Sequence, residues 1–518
     1  MIDSAVTNVN EVNESEVTHE TVKFTAAEKI YAFFIAVIAF LWVEFQIFNP
    51  AGFITTAINL VIIISAIVFL KKNGCKLTLH NKVIAVVLCL FAFVFSITDN
   101  GFIKFLAGVF LFGAGAYFVY SAAEGKKEME RYLPVAMIKA LFEVPFANFG
   151  AEAMAAKSAV GNSKTAGNIK HIIYGLIITV PVTFIVASLL MSADKGMEEM
   201  LNRIFSNTFS ENSFETLLHF MVSIPCGFYL YGMIYGNVKR DSLSCIDSMR
   251  CDYHIAEARM IPNMILYTAV TPILLLYVLF FISQANYFLS AFSGSLPEGY
   301  TYSEYARRGF FELCAVTVIN LFIIVFISFL SKKSGKYKPA ALKVYSVSLC
   351  VSTIILIVVA ISKMVMYISE YGLTRLRFYT MWFMILCGFV FLLIIVKQFR
   401  YEMKFAAWFS GIFTVMLGIL CFCSPDYVIA KYNIDMYKAG YLDELDADEI
   451  YDMSADAVLY GVQSGELDAR KAYYVSVYHD DEFIEYLNIP ALIIREELGE
   501  IELTENEKAS YHRLKHFF

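Results

Sequence analysis

The stretch VYSVSLCVSTIILIVVAISKMVMYI, from Val344 to Ile368, decides the fold class. Its 25 residues carry one charged side chain, Lys363. At 1.5 Å of rise per residue, about 20 helical residues cover the roughly 30 Å of hydrocarbon in a bilayer. No polar face recurs at helical spacing, as a helix resting on a water-soluble core would need, and no strict alternation suggests a barrel strand. In lipid each unpaired backbone group costs several kcal/mol, and a helix pairs nearly all of its own. The run therefore predicts a membrane-crossing helix.

Outward from it, similar runs lie near Ile30 to Phe48, Phe53 to Leu70, Val83 to Thr98, Phe102 to Tyr120, Ile172 to Met191, Leu217 to Tyr235, Ile261 to Ser283, Phe310 to Leu330, Tyr379 to Val396 and Phe405 to Cys423. The expected fold is all-α: a polytopic helical bundle of about eleven spans. Composition agrees, with 58% hydrophobic and 17% charged residues, against roughly 45–50% and 25% in soluble domains. Expected domains are a disordered acidic tail over 1–28, with Glu11, Glu14, Glu16 and Glu20, a membrane domain over 29–423, and an acidic soluble helical domain over 424–518. The last holds 8 Lys and Arg against 21 Asp and Glu, with Asp435, Asp446, Ser454 and Asp468 as candidate helix starts. The start of the chain lacks the basic, then apolar pattern of a cleavable signal.

Loops after the even-numbered spans hold 23 Lys and Arg, and the opposite loops hold seven. Positive loops stay in the cytoplasm. The expectation is a cytoplasmic N-terminus and an extracytoplasmic C-terminal domain. The segment from Leu133 to Lys157 mixes Phe142, Phe146 and Phe149 with Lys139, Glu143 and Glu152, which suits a helix lying in the interface or packed under the bundle. Between spans five and six, Met197, Met200, Leu201, Ile204 and Phe205 predict a short amphipathic helix.

Ionisable residues at membrane depth are expensive and tend to mark function. Here they gather at the outer face. Glu304, Arg308 and Glu312 sit four apart on the way into span eight, with Arg307 alongside; Lys363 and Glu370 end span nine; Arg375 and Arg377 begin span ten. Three uses are open for this cluster. It could bind an anionic lipid or small anion, since the guanidinium fork suits phosphate and carboxylate. It could dock the acidic tail through Tyr432, Asn433, Asp435 and Tyr437, or it could be ordinary snorkelling with weak surface pairs. Glu44, with Gln46 close by, is the one clear acid in an early span, and Cys245, Asp247, Cys251, Asp252 and His254 match no standard zinc spacing. No Walker A loop, dinucleotide fingerprint, G-x-S-x-G elbow or H-E-x-x-H motif is present.

Three stretches carry a resemblance: YTYSEYARRGFFEL from Tyr300 to Leu313, YGLTRLR from Tyr371 to Arg377 and YNIDMY from Tyr432 to Tyr437. Together with Leu445-Asp446 and Met453 to Ala457, they resemble the bacterial multipass membrane proteins grouped as the domain of unknown function numbered 4173, and its relative numbered 4153. The likeness runs from about the sixth span to Ala457. It implies a multipass protein located in the bacterial plasma membrane and lends no catalytic residue. The expected role is a non-enzymatic accessory, scaffold or sensor whose tail docks on the arginine cluster. Two alternatives are a secondary transporter using spans five to seven, where Pro181, Pro225, Pro262 and Pro272 lie, and a membrane enzyme using Glu304, Glu312 and Asp435. The lipid bilayer is the expected partner; no cofactor, metal, catalytic residue or nucleic acid is assigned.

Overall fold

The computed structural model describes residues 24–48, 52–160, 211–239, 261–293, 302–332, 339–400, 402–477 and 488–499, with isolated positions between 179 and 259; 159–160, 211–215, 217, 284–293, 302–309 and 475–477 are described by backbone alone. In chain order the first helices are α1 (Ala26–Trp42), α2 (Gly52–Lys72), α3 (Leu79–Ala92), α4 (Val94–Ile97), α5 (Gly101–Ala123), α6 (Leu133–Ile138), α7 (Val144–Ala147) and α8 (Ala151–Val160). Long helices follow: α9 (Glu211–Val238), α10 (Asn263–Ser293), α11 (Tyr302–Leu330), α12 (Ala340–Tyr371), α13 (Arg375–Phe399) and α14 (Phe405–Phe422). The tail adds α15 (Pro425–Lys438), α16 (Ala447–Tyr451), α17 (Ala455–Gln463), α18 (Ala469–Val477) and α19 (Ile489–Leu498). The protein is a polytopic, all-α membrane protein. Among the described residues, strand-type pairing is limited to one bridge between Ile261 and Ser331.

Eleven described helical segments are long and apolar enough to cross a membrane. Their number matches the sequence reading and their membership does not. Leu133–Ser158 is one of them, whereas the expected span from Ile172 to Met191 and the amphipathic helix near Met197 lie largely outside the described residues. Leu133–Ser158 also differs from a simple interfacial helix. It is built of α6, a π-helical turn at Lys139–Glu143, α7 and α8. Phe142 and Phe146 are exposed, while Glu152, expected on a polar face, is buried.

The chain forms two compact units, Met1–Phe40 with Asn148–Gly232, and Leu41–Ala147 with Met233–Phe518. In the first, α1 packs with α8 and α9 through Tyr31 against Tyr231, Phe40 against Phe220, and Lys29 Nζ donating to the Ser158 carbonyl at 2.8 Å. Pro225 lies inside α9.

The second unit has two chemically different ends. At one, the turns at 98–100 and 372–374 and the start of α15 come together, since Asn100 Nδ2 donates to Asp426 and the Leu373 N–H to Asn433. At the other, Lys404 pairs with Glu128, the Thr78 hydroxyl donates to the Lys126 carbonyl at 2.6 Å, and Lys343 Nζ stands 4.2 Å from the centroid of the Phe399 ring. Short polar side chains start the helices. Asn100, Thr374, Asp446 and Asn488 accept from the backbone N–H groups of Ile103, Arg377, Glu449 and Ala491, as N-caps do. Ser454 and Asp468 directly precede helices, whereas Asp435, another expected start, falls inside α15.

Within the bundle, the Tyr277 hydroxyl donates to Asn320 Oδ1 at 2.7 Å, and Asn320 Nδ2 donates to Thr353 at 2.9 Å, tying α10, α11 and α12 together. Side-chain hydrogen bonds between membrane helices average about 0.6 kcal/mol and reach about 1.7. Asn320→Leu, which removes both, is expected to lower stability by about 1–2 kcal/mol in detergent thermal denaturation; an unchanged midpoint would show that these bonds contribute nothing.

Candidate functional site

Where α14 ends, Ser424 takes a left-handed backbone (φ +45°) and turns the chain into α15. Pro425 follows at the first turn, where its missing N–H is no loss. This sets Asp426 at a helix N-terminus, where negative charge is favoured, with its side chain 1% exposed. Both carboxylate oxygens are fully engaged. Oδ1 accepts from Arg375 Nε at 3.0 Å and Asn100 Nδ2 at 2.8 Å; Oδ2 accepts from Arg375 Nη2 at 2.7 Å and the Ser454 N–H at 2.9 Å. Arg375, 36% exposed, also donates to the Asp452 carbonyl at 2.9 Å.

Asn100 completes the node. Its Oδ1 caps α5, while its Nδ2 reaches both Asp426 and the Tyr379 hydroxyl, at 2.9 Å for the latter. One carboxylate thus joins the start of α5, the start of α13, the start of α15 and the start of α17. A buried ion pair contributes little over a well-packed apolar pair, but losing one partner leaves an uncompensated charge. The arrangement fixes position, and a carboxylate committed to four donors is poorly suited to act as a base.

A second contact lies two helical turns along α15. Asn433 Oδ1 accepts from the Leu373 N–H at 2.7 Å and its Nδ2 donates to the Leu373 carbonyl at 2.8 Å. Gly372 makes that approach possible, because its φ is +73° and a Cβ there would meet Asn433 Oδ1 at 2.8 Å. A third contact comes from α19, whose cap Asn488 donates to Asp99 Oδ1 at 3.0 Å, an atom also 3.3 Å from Lys104 Nζ. Apolar packing backs all three: Ile429, Ala430, Ile434, Ile450, Val458 and Ile494 share one buried cluster with Ile368 and Leu373.

The residues expected to form the site are only partly brought together. Arg375 is at the node. Arg377 folds back instead, donating to the carbonyls of Tyr371 and Gly372 and lying 4.2 Å from the Tyr367 centroid. Glu312 and Lys363 are close enough for their charges to interact, and Glu370 is exposed. Glu304, Arg307 and Arg308 lie on α11, with side chains outside the described set. Of the expected tail residues, Asn433 touches the bundle; Asp435 accepts from the Tyr460 hydroxyl at 2.6 Å, Tyr432 is half-buried and Tyr437 exposed. That bond pushes the Tyr460 hydroxyl up to about 12. Burial, and then neighbouring Asp446, push the Glu449 carboxyl above its usual range.

Asp426, Asn100, Tyr379, Ser454 and Asn488 were not legible as site residues. The available signals were a Pro-Asp pair directly after a span and an Asp99-Asn100-Gly101 turn. Glu44 lies in a π-helical turn, where Gln46 accepts from Asn59 Nδ2 at 2.7 Å. The cysteine-rich loop near Cys245 falls almost wholly outside the described residues.

A family model described as Domain of unknown function (DUF4153) matches residues 83–463, well over half of the chain, so the chain belongs to that family. It is the family that the sequence resemblance named as the relative, and the match starts within α3 rather than near the sixth span. It takes in Asn100, Arg375, Asp426, Asn433 and Ser454 and stops before Asn488. Comparison with curated proteins gave no match, and neither did comparison with solved structures.

Asp426→Ala leaves Arg375, Asn100 and the Ser454 N–H facing an apolar methyl, and is expected to destabilise by about 3 kcal/mol or more. Arg375→Met combined with Asp426→Leu should recover most of that loss in the same denaturation assay; equal losses for single and double variants would count against the node. Gly372→Ala combines backbone strain, on the order of 1–3 kcal/mol, with the clash on Asn433. Faster hydrogen exchange in α15 is the expected readout, and wild-type protection would remove the role given to Gly372.

Proposed function

We propose that this DUF4153 protein is a non-catalytic scaffold or sensor of the bacterial plasma membrane that holds an acidic helical tail at the extracytoplasmic end of its bundle. The observation that carries the reading is the Asp426 node, which ties the first tail helix to the starts of α5 and α13 through hydrogen bonds of 2.7–3.0 Å. A tail held by buried polar bonds and a shared apolar cluster presents a fixed surface. That surface includes a run of exposed acids, Asp443, Glu444, Asp446, Asp448 and Asp452.

The orientation is supported by the two ends of the second unit. The end remote from the tail carries Lys71, Lys72, Lys126, Lys127, Lys397, Arg400 and Lys404 near or within its turns, and Lys and Arg accumulate on the cytoplasmic side.

Arg375 directs its donors to Asp426 and Asp452 of the tail, which favours tail docking over anion capture there, while Arg377 is engaged by the carbonyls that end α12. The test is a protease-cleavable tag after Phe518, probed on intact cells. External protease is expected to release the tag without permeabilisation, and Arg375→Glu is expected to open new cleavage points within 424–477. Release only after permeabilisation would overturn the orientation. External release with an unchanged cleavage pattern in Arg375→Glu would overturn the docking.

A further inference from the structure

The first unit contains a carboxyl group that its surroundings leave without a partner. Glu152, near the start of α8, is 5% exposed, and neither side-chain oxygen has a hydrogen-bond partner. Among the described residues, Gly227 and Ala39 lie beside it. An added Cβ on Gly227 of α9 would lie 3.2 Å from Glu152 Oε2 and 3.5 Å from the Ala39 Cβ of α1. Among the described residues, α1, α8 and α9 thus meet at the carboxyl through a glycine and a methyl. Phe149 and Phe228 stack edge-to-face beside it, centroids 5.5 Å apart.

The charged side chains on the same three helices lie elsewhere, while two neutral titratable groups of α9 are near in sequence, Cys226 adjoining Gly227 and Tyr229 two residues on. On α1, Glu28 accepts from the Thr25 N–H at 2.9 Å and Lys29 donates to the Ser158 carbonyl. Both are roughly 15 Å along the axis from Ala39 at 1.5 Å per residue. On α9, His219 is about 12 Å from Gly227 by the same rise, and Glu211 and Glu215 are farther still. Lys157, on α8 itself, is exposed.

An ionised carboxylate buried without donors is costly, and such groups accept a proton instead. The favourable end of the α8 dipole is worth about 0.3–1 kcal/mol, too little to reverse that. Hard metal cations are held by several oxygens at once, and among the described residues Gly227 and the Ala39 methyl bring no side-chain oxygen to Glu152. We propose that Glu152 is a proton-binding site, occupied while α1, α8 and α9 are packed as here and emptied when they part enough to admit water. This goes beyond the tail-holding role and does not rest on it.

The experiment compares the full-length protein with Glu152→Gln in detergent, following thermal unfolding over about pH 5–9. In the wild type, the folded state keeps a proton that the unfolded state releases above the ordinary carboxylate range, so stability falls as pH rises. Each pH unit in that window changes the folding constant about tenfold. Glu152→Gln is expected to lose this slope and to exceed the wild type at the alkaline end. Parallel curves would overturn the proposal, including curves separated by a constant loss. A stabilisation of the wild type by sodium over potassium that vanishes in Glu152→Gln would also overturn it, in favour of a metal cation. Infrared spectroscopy of the wild type serves even if the variant fails to fold. A protonated-carboxyl C=O band that fades with rising pH is expected, and its absence at every pH would end the idea.

Discussion

Hydrocarbon offers a polar group nothing to bond with, and most of this structure follows from that constraint. Backbone polarity is consumed within helices, so the spans read as apolar runs and polar side chains collect where helices start and stop. The caps Asn100 and Thr374 stand in turns on the same end of the second unit, and Asp426 begins the next helix there. Because water is scarce at such a junction, these groups bond to one another. The node is the result of crowding several helix starts into one place with a single buried carboxylate to share.

The helical membrane architecture was legible because it rests on composition over long windows, which side-chain detail scarcely disturbs. The Asp426 node was not, because its members are ordinary residues one at a time. Asp426 is one of 21 acids in the tail, and nothing local marks it as the buried one. Charge was the guide to candidate residues, and charge overstates arginine. Arg377, which stood out beside Arg375, works as a cap on the carbonyls that end α12. Uncharged amides were undervalued: Asn100 and Asn433 make as many defining contacts as any ion pair.

Leu133–Ser158 is the reverse case, open in sequence between a helix lying in the interface and one packed under the bundle. Its mixture of phenylalanine and charge fits a helix lying flat at an interface, and periodicity cannot tell that from a segmented helix enclosing one acid. Pro134 and Pro145 and the π-helical turn between them break the run into pieces. What distinguishes Glu152 from Glu143 is tertiary: Glu143 is exposed, whereas Glu152 meets Gly227 and Ala39. Small residues on membrane helices allow close approach, and here the closeness leaves the carboxyl no room for a solvating shell.

Asp426 and Asn433 are seven residues apart, so after two turns they return to nearly the same side of α15, with Ile429, Ala430 and Ile434 between and beside them. The pair works like a two-pin plug. One pin forbids sliding, and the second forbids rotation, because a single inserted or deleted residue between them would swing Asn433 by about 100° away from Leu373. Length in this segment is therefore under tighter control than chemistry. Its outward side chains are free to vary, while the spacing of the two contacts is not.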